Sequence, residues 1–207
     1  MSQKNRLIIR GVAVYPEFLD VETQVQMMGE VMRVIDQVPL VHPMTRWGKK
    51  MSVGMTSAGQ VGWVSTSKGY RYVPTHASGR KWPAIPPSIL RVWQNLVPEF
   101  GPPDSCLINH YSASARMGMH QDRDEADFHQ PVVSISLGDQ ALFRIGNATR
   151  GGKTESLWLS SGDVAVLAGE ARLIYHGIDR LRAGSSDLVP LGGRFNITLR
   201  VAGRPTL

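Results

Sequence analysis

RFNITLRV, residues 194–201, alternates without a break: Arg194, Asn196, Thr198 and Arg200 on one face, Phe195, Ile197, Leu199 and Val201 on the other. A period of two is the signature of a β-strand, whose successive side chains point to opposite sides. The apolar face reads as core. The polar face has two readings: the solvated side of an ordinary antiparallel strand, or the lining of an interior between two sheets. Two unpaired arginines in an interior would each cost several kcal/mol in desolvation, so the second reading requires an anionic ligand. A small dicarboxylate would serve, because a guanidinium can hold a carboxylate through two parallel N–H donors.

Upstream lies a series of short β runs that begins at Ser105: SCLINHY, VVSISLG, ALFRIG, ESLWLS, DVAVLAG and RLIYHG. The Asp139-Gln140 pair after the second run and Ser161-Gly162-Asp163 after the fourth predict tight hairpins. Seven or eight such strands predict an α+β chain with a double-stranded β-helix (jelly roll) core and two helices packed outside it. The first helix starts at the cap Asp20 and aligns Val21, Val25, Met28, Met32 and Ile35 on one face. The second starts at Pro86-Pro87 and aligns Ile89, Val92, Trp93 and Leu96. LIIRGVAVYP, from Leu7, reads as one strand or an extended arm. The 207 residues suit a single domain with an arm and helix over 1–45, a basic segment and helix over 46–98, and the jelly roll over 99–207.

Charge is distributed unevenly. The net charge is +6, yet no acidic residue stands between Asp36 and Glu99, a span that holds Arg46, Lys49, Lys50, Lys68, Arg71, Arg80, Lys81 and Arg91. Trp47, Trp63, Tyr70, Tyr72, Trp82 and Trp93 lie among them. Cations interleaved with aromatics suit a single-stranded nucleic acid, which needs phosphate neutralisation and ring faces for its bases. Trp93 reads as core because of its helical face. Trp63 and Tyr70, set among Gly59, Gly62 and Gly69, read at least equally as binding residues. The single cysteine, Cys106, excludes an intrachain disulfide and fits a reducing, cytoplasmic setting. No apolar run is long enough to predict a signal peptide or a membrane span.

The chemistry concentrates in NHYSASARMGMHQDRDEADFH, residues 109–129. On a strand, His120 and Asp122 would share a face. An imidazole and a carboxylate plus one distant histidine make the facial triad of non-heme Fe(II) oxygenases. Of the six histidines, His176 fits best, at the end of a run in the β-rich section. His42 and His76 rank as surface residues, and His129 is a competitor that would need its loop to fold straight back.

Asn109-x-Tyr111, His120-x-Asp122-x-Asp124-Glu125, His176 and Arg194-x-Asn196-x-Thr198-x-Arg200 resemble, in order and spacing, the AlkB family of Fe(II)/2-oxoglutarate-dependent dioxygenases, its bacterial nucleic-acid repair branch above all. The likeness runs from about Met51 to Val201. It implies that His120, Asp122 and His176 hold Fe(II), and that 2-oxoglutarate is held by Asn109, Tyr111, Arg194, Asn196, Thr198 and Arg200. Arg194 would meet the far carboxylate, with Arg200 near the chelating end. It implies substrate contacts from Trp63, Tyr70, Asp124 and Arg150, and from Tyr72 more weakly, with a basic nucleotide-recognition lid. Leu167-Ala168 depart from the Trp-Gly of some relatives. The activity implied is oxidative demethylation of N-alkylated bases, such as 1-methyladenine and 3-methylcytosine, in DNA that is preferably single-stranded or damaged, with RNA a second substrate. O2 and 2-oxoglutarate would be consumed and formaldehyde, succinate and CO2 released, by a monomer acting in direct-reversal repair. A related dioxygenase acting on RNA or protein, and a non-catalytic nucleic-acid-binding jelly roll, are the alternatives.

Overall fold

The computed structural model describes residues 6–45, 48–66 and 69–203. Arg46, Trp47 and Lys68, all part of the basic segment, lie outside the described residues.

The expected N-terminal arm is a hairpin. Arg10 and Gly11 both have positive φ (51° and 84°), which makes a two-residue turn between β1 (Leu7–Ile9) and β2 (Val12–Tyr15). Helix α1 (Val21–Gln37) is capped as expected, Asp20 Oδ1 accepting from Thr23 N at 2.8 Å. Its buried stripe differs from the expected one: Met27, Met28, Val31 and Val34 are buried, while Val21 and Val25 are 75% and 56% exposed. No side chain from Val21 to Gln26 is buried, so the apolar ones there have nothing to pack on and the stripe takes its phase from the later turns. Then come β3 (Gly54–Gly59), β4 (Gly62–Thr66), β5 (Gly69–Val73) and α2 (Pro87–Leu96). In α2, Ile89, Val92 and Trp93 are buried and Leu96 is partly so.

The remaining strands are β6 (Ser105–Tyr111), β7 (Met117–His120), β8 (Val132–Gly138), β9 (Gln140–Ile145), β10 (Glu155–Leu159), β11 (Val164–Leu167), β12 (His176–Arg182) and β13 (Arg194–Arg200). They form a major sheet in the order β1-β2-β11-β8-β13-β6-β3, a minor sheet β10-β9-β12-β7, and a separate ribbon β4-β5. The boundaries expected at residues 45 and 98 do not separate the strands, because β2 and β3 are members of the major sheet. The two sheets face each other across one apolar layer that includes Leu107, Val132 and Leu167 from the major sheet and Phe143, Ile145 and Ile178 from the minor. A second layer, with Ile135, Phe195, Ile197 and Leu199, lies under the two helices. This is a jelly roll with helices outside. Among the described residues, no helix is long and apolar enough to cross a membrane.

Three local expectations change. The two predicted hairpins are corners where the chain leaves one sheet for the other: β8 and β9 lie in different sheets, as do β10 and β11. Buried aspartates hold both corners. Asp139 accepts from the amides of Gly184 and Ser186 and from Ser185 Oγ, and Asp163 accepts from the amides of Glu17 and Ser160. RLIYHG is not a strand; a 3-10 turn at Gly169–Ala171 precedes β12, which begins only at His176. His76, expected on the surface, is buried edge-on against Trp82, with ring centroids 5.3 Å apart. Trp82, Trp93 and Tyr72 are also buried, so among the described aromatics of the basic segment only Trp63 and Tyr70 line the cavity between the sheets.

Helix α2 lacks a capping side chain of its own, since its N-cap is Pro86. Glu30 of α1 supplies the cap. Its Oε2 accepts from Ser88 N at 3.2 Å and Ser88 Oγ at 2.6 Å, while Oε1 accepts from Gln26 at 2.9 Å. Burial alone would raise this carboxyl, but the Ser88 and Gln26 bonds and the Arg33 charge outweigh it and hold the group below its ordinary value. A carboxylate at a helix N-terminus also meets the positive end of the dipole. Glu30→Ala is therefore expected to cost about 1–3 kcal/mol, read as a lower urea midpoint, and Glu30→Gln to cost less. Because the folded pKa is depressed, this contribution is present above the unfolded pKa of about 4.3 and is lost as pH falls through the folded value. A Glu30→Gln deficit that persists unchanged in acid would contradict the assignment.

Candidate metal and cosubstrate site

The polar face of β13 is the interior one. Arg194, Asn196, Thr198 and Arg200 line a cavity of about 190 Å³ between the sheets. Its rim carries the residues singled out by their metal-binding chemistry.

Antiparallel pairing of β12 with β7 sets His176 directly opposite His120. Asp122 lies past the end of β7, in a loop, and does not share a strand face with His120. Its carboxylate reaches back between the imidazoles. Oδ1 is 3.9 Å from His120 Nε2, and Oδ2 is 3.9 Å from His176 Nε2. One ligand atom from each residue lies within 4.8 Å of the others. Both rings are fixed by their far nitrogens, Nδ1 of His120 donating to Gly118 O (2.9 Å) and Nδ1 of His176 to Ile174 O (3.0 Å). That places the proton on Nδ1 and the Nε2 lone pair toward the cavity. Burial, then the neighbouring His120, pushes His176 down to about 4, so it is neutral at pH 7. Burial acts to raise Asp122, but Arg200 and the two histidines hold it well below the usual carboxylate range. Two imidazoles and one carboxylate, open on the cavity side, suit non-heme Fe(II). His129 is no competitor, since its side chain is 98% exposed and bonded to Asp127.

The two arginines of β13 are not equivalent. Arg194 is fully buried, with Nη2 donating to Ser136 Oγ at 2.9 Å and its guanidinium 5.4 Å from the Tyr111 ring centroid. Its Nε and Nη1 have no partner, and neither has the buried Asn109 Oδ1. Burial pushes Arg194 down to about 10, so it stays charged. Arg200, expected to be unpaired as well, is not. Its Nη2 lies 2.9 Å from Asp122 Oδ1 and its Nε 3.3 Å from Glu125 Oε1. Arg200 is thus charge-paired on both sides, while its Nε, like Nε and Nη1 of Arg194, makes no hydrogen bond. Nearby, Asn196 Nδ2 donates to Ser134 Oγ at 2.7 Å and Thr198 Oγ1 to Asn196 Oδ1 at 3.2 Å. Burial pushes Tyr111 up to about 12, so its hydroxyl remains a donor.

Tyr72 belongs to this charge network and not to the cavity wall. It is buried, and its hydroxyl donates to Glu125 Oε1 at 2.6 Å, which removes it from the substrate contacts expected of it. Arg172 was missed by the sequence reading. It donates to Gln130 O (2.7 Å), Asp122 O (2.8 Å) and Glu125 Oε2 (3.0 Å), tying the loop that carries Asp122 to the segment before His176. Its only sequence signal is an arginine inside the otherwise apolar run Ala171–Tyr175.

At the cavity mouth, Trp63 of β4 and Tyr70 of β5 pack with centroids 5.0 Å apart and ring planes at 31°. Trp63 Nε1 donates to Asp124 Oδ2 at 2.7 Å. Burial raises Asp124, with the Trp63 bond opposing. Arg150 is exposed in the loop between β9 and β10 and does not line the cavity, whereas Leu167 does.

Residues 11–200 match the 2OG-Fe(II) oxygenase superfamily. The alpha-ketoglutarate-dependent dioxygenase AlkB homolog of Caulobacter vibrioides is 51% identical over 203 residues, which cover 98% of this chain and 92% of that protein. The alpha-ketoglutarate-dependent dioxygenase AlkB of Escherichia coli K12 is 40% identical over 185 residues, 86% of this chain and 85% of that one. The solved structure of OsALKBH1 agrees with a TM-score of 0.80 at 29% identity, covering 94% of this chain and 99% of that chain. With a triad suited to Fe(II) and a buried arginine that retains donors for an anion, the chain belongs to the AlkB family of dioxygenases and is an enzyme that uses Fe(II), 2-oxoglutarate and O2.

Proposed function

We propose that this enzyme demethylates N-alkylated bases, such as 1-methyladenine and 3-methylcytosine, in DNA, preferably single-stranded, and in RNA, as a cytoplasmic direct-reversal repair activity. His120, Asp122 and His176 hold the iron. Arg194, with Asn109, Tyr111, Asn196 and Thr198, takes the far carboxylate end of 2-oxoglutarate, and Arg200 stands at the chelating end, where its charge also holds Asp122. The unsatisfied nitrogens of Arg194 support this, since a buried guanidinium persists only with compensation. Bound iron and 2-oxoglutarate supply oxygen insertion into an N-methyl C–H bond. The hydroxymethyl product on nitrogen releases formaldehyde unaided, alongside succinate and CO2.

The observation that carries the substrate class is the tilted Trp63–Tyr70 pair beside Asp124, over a cavity that holds the triad. A ring pair accepts a flat base, and stacking returns about 1–3 kcal/mol against the few kcal/mol of unstacking. A base methylated at its pairing nitrogen carries a positive charge, which the Asp124 carboxylate complements. Exposed Lys49, Lys50, Arg71, Arg80 and Lys81 support a polyanionic strand. Of these, Arg71 pairs with Val64 across the ribbon and so projects from the face opposite Trp63. The lone, buried Cys106 supports a reducing compartment. Mass spectrometry of methylated DNA and RNA oligonucleotides, after incubation with enzyme, Fe(II) and 2-oxoglutarate, tests the reading directly: loss of methyl groups from neither polymer overturns it.

Three variants separate the parts. Asp122→Ala is expected to abolish turnover and iron binding by calorimetry. Arg200 keeps Glu125 as a partner, so the stability loss stays near 1–3 kcal/mol; retained iron affinity would remove Asp122 from the triad. Arg194→Ala should raise the KM for 2-oxoglutarate at least tenfold with little change in oligonucleotide affinity, and equal weakening of both would place the arginine elsewhere. Single-strand affinity should fall with salt at a slope of roughly −1.4 to −2.8, from about two to four phosphate contacts. Trp63→Ala should raise the KM for the methylated strand without altering that slope, because stacking releases no counterions. A Trp63→Ala enzyme that repairs normally would break the link between the ribbon and the base.

A further inference from the structure

Both α-helices pack on the major sheet, which leaves the outer face of the minor sheet with no helix over it among the described residues. The residues of that face alternate with the buried Ala141, Phe143 and Leu159: Leu142 and Arg144 on β9, Trp158 on β10 and Arg182 on β12. A bulge in β12 adds two more. Ile178 is paired with Phe143 and Leu181 with Ala141, so Asp179 and Arg180 together oppose the single residue Leu142. The extra residue re-aims side chains, and both reach the outer face. Asp179 meets Arg144 at 3.0 Å, and the Arg180 guanidinium lies 5.8 Å from the Trp158 ring centroid. Arg182 lies over the same ring at 4.7 Å, and its Nη1 donates to Gln140 Oε1 at 2.7 Å.

The charges on this face do not cancel. Arg144 takes the aspartate, and among the described residues no carboxylate pairs with the exposed Arg180 or Arg182. The π-face of the indole attracts each guanidinium, but two like charges on one ring repel each other, and an anion shared between them removes that repulsion. Their ring contacts also order the two side chains in advance, so less entropy is lost when an anion arrives. A guanidinium edge offers a phosphate two parallel N–H donors.

We propose that Trp158, Arg180 and Arg182 form a second nucleic-acid contact, remote from the cavity, which grips the phosphates of the same single strand whose methylated base is at the metal. This rests on the nucleic-acid reading above. An acidic peptide would meet the charge equally well; the strand is favoured because it is already bound at the cavity, and a second contact on one molecule gains from effective concentration. The spacing sets a length. From His176 to Arg182 is six residues of β12, roughly 20 Å at about 3.3 Å each, and phosphates of a stacked strand are about 3.4 Å apart. A strand of about five nucleotides therefore serves the cavity alone, and one of about twenty-five can reach both places.

The test uses Arg180→Gln/Arg182→Gln in the full chain and reads binding of unmodified single strands by fluorescence anisotropy, without iron or 2-oxoglutarate. For the long strand, Kd is expected to rise about tenfold and the salt slope to flatten by about 1.4, the share of two phosphates. For a methylated strand of about five nucleotides, KM and kcat should stay within twofold of the parent. Arg180→Gln alone, which removes only a ring contact, should flatten the slope by about 0.7 and carries the test if the double variant does not fold. Unchanged long-strand affinity, or equal weakening of short and long strands, overturns the proposal. So does a variant that loses affinity for polyglutamate and none for DNA, which would assign the face to an acidic protein. A parent that binds long strands through these arginines yet demethylates no base would refute the function reading and leave the contact standing.

Discussion

A buried guanidinium with unused donors is the constraint on which this fold turns. Arg194 is fully buried, with one hydrogen bond to Ser136 and the face of Tyr111 beside it. Its strand cannot be reversed face for face, because Phe195, Ile197 and Leu199 already fill the layer beneath the helices. The chain therefore places a charge in the interior of the jelly roll and leaves part of it uncompensated. A ligand that binds only the folded state adds stability in proportion to the logarithm of its concentration over Kd. An anion bound to Arg194 would link ligand binding and folding through one side chain, and the helices outside the major sheet keep that side chain turned inward.

A second charged group works differently because it is internally complete. Asp122, Arg200, Glu125 and Arg172 alternate in sign along a chain of contacts of 2.9, 3.3 and 3.0 Å, with Tyr72 bonded at Glu125. Nothing further is required to neutralise it. Its consequence is geometric. Tyr72 and Trp63 belong to the β4-β5 ribbon, and both hydrogen-bond to acids of the loop after β7, the loop that also bears Asp122. The ribbon over the cavity mouth and one metal ligand are thus fastened to the same few residues.

What could be read in advance follows from how local each signal is. The alternation of β13 and the stripe of α2 are period and composition, and they held. Donor chemistry restricts the triad candidates to few positions, and the pairing of β12 with β7 and the loop after β7 bring the three residues together. Turn chemistry, by contrast, does not say which strands a corner joins. Asp139-Gln140 and Ser161-Gly162-Asp163 look like hairpin turns, yet the strands they connect pair with other partners in different sheets. Nor does alternation distinguish Arg194 from Arg200. The difference lies in Glu125 and Asp122, which are some seventy residues away in sequence and are brought close only by the loop after β7. Tyr70 and Tyr72 make the same point: two residues apart on one strand, the first stays exposed at 39% while the second is sealed beneath it by Glu125.

The placement of Asp122 outside β7 gives the triad an unequal rigidity. His120 and His176 face each other across paired strands, and each ring is locked through Nδ1. Asp122 has no ladder to hold it. Its backbone carbonyl is fixed by Arg172 and its side chain by Arg200, so a ligand in a loop is positioned by two buried cations instead of by sheet pairing. The carboxylate also divides its work: Oδ1 faces Arg200 at 2.9 Å, while Oδ2, 3.9 Å from His176 Nε2, remains for a metal. With its pKa depressed, Asp122 is an anion at any pH at which His176 is neutral. The stabilisation it provides is complete above the unfolded carboxylate pKa and is lost only as pH falls through the lower folded value. A neutral hydrogen-bonding residue in place of Arg200 would keep the shape of this arrangement and lose the field that holds the charge. The constraint at this end of the cavity is therefore electrostatic, as it is at the Arg194 end, with the difference that here the protein supplies both signs.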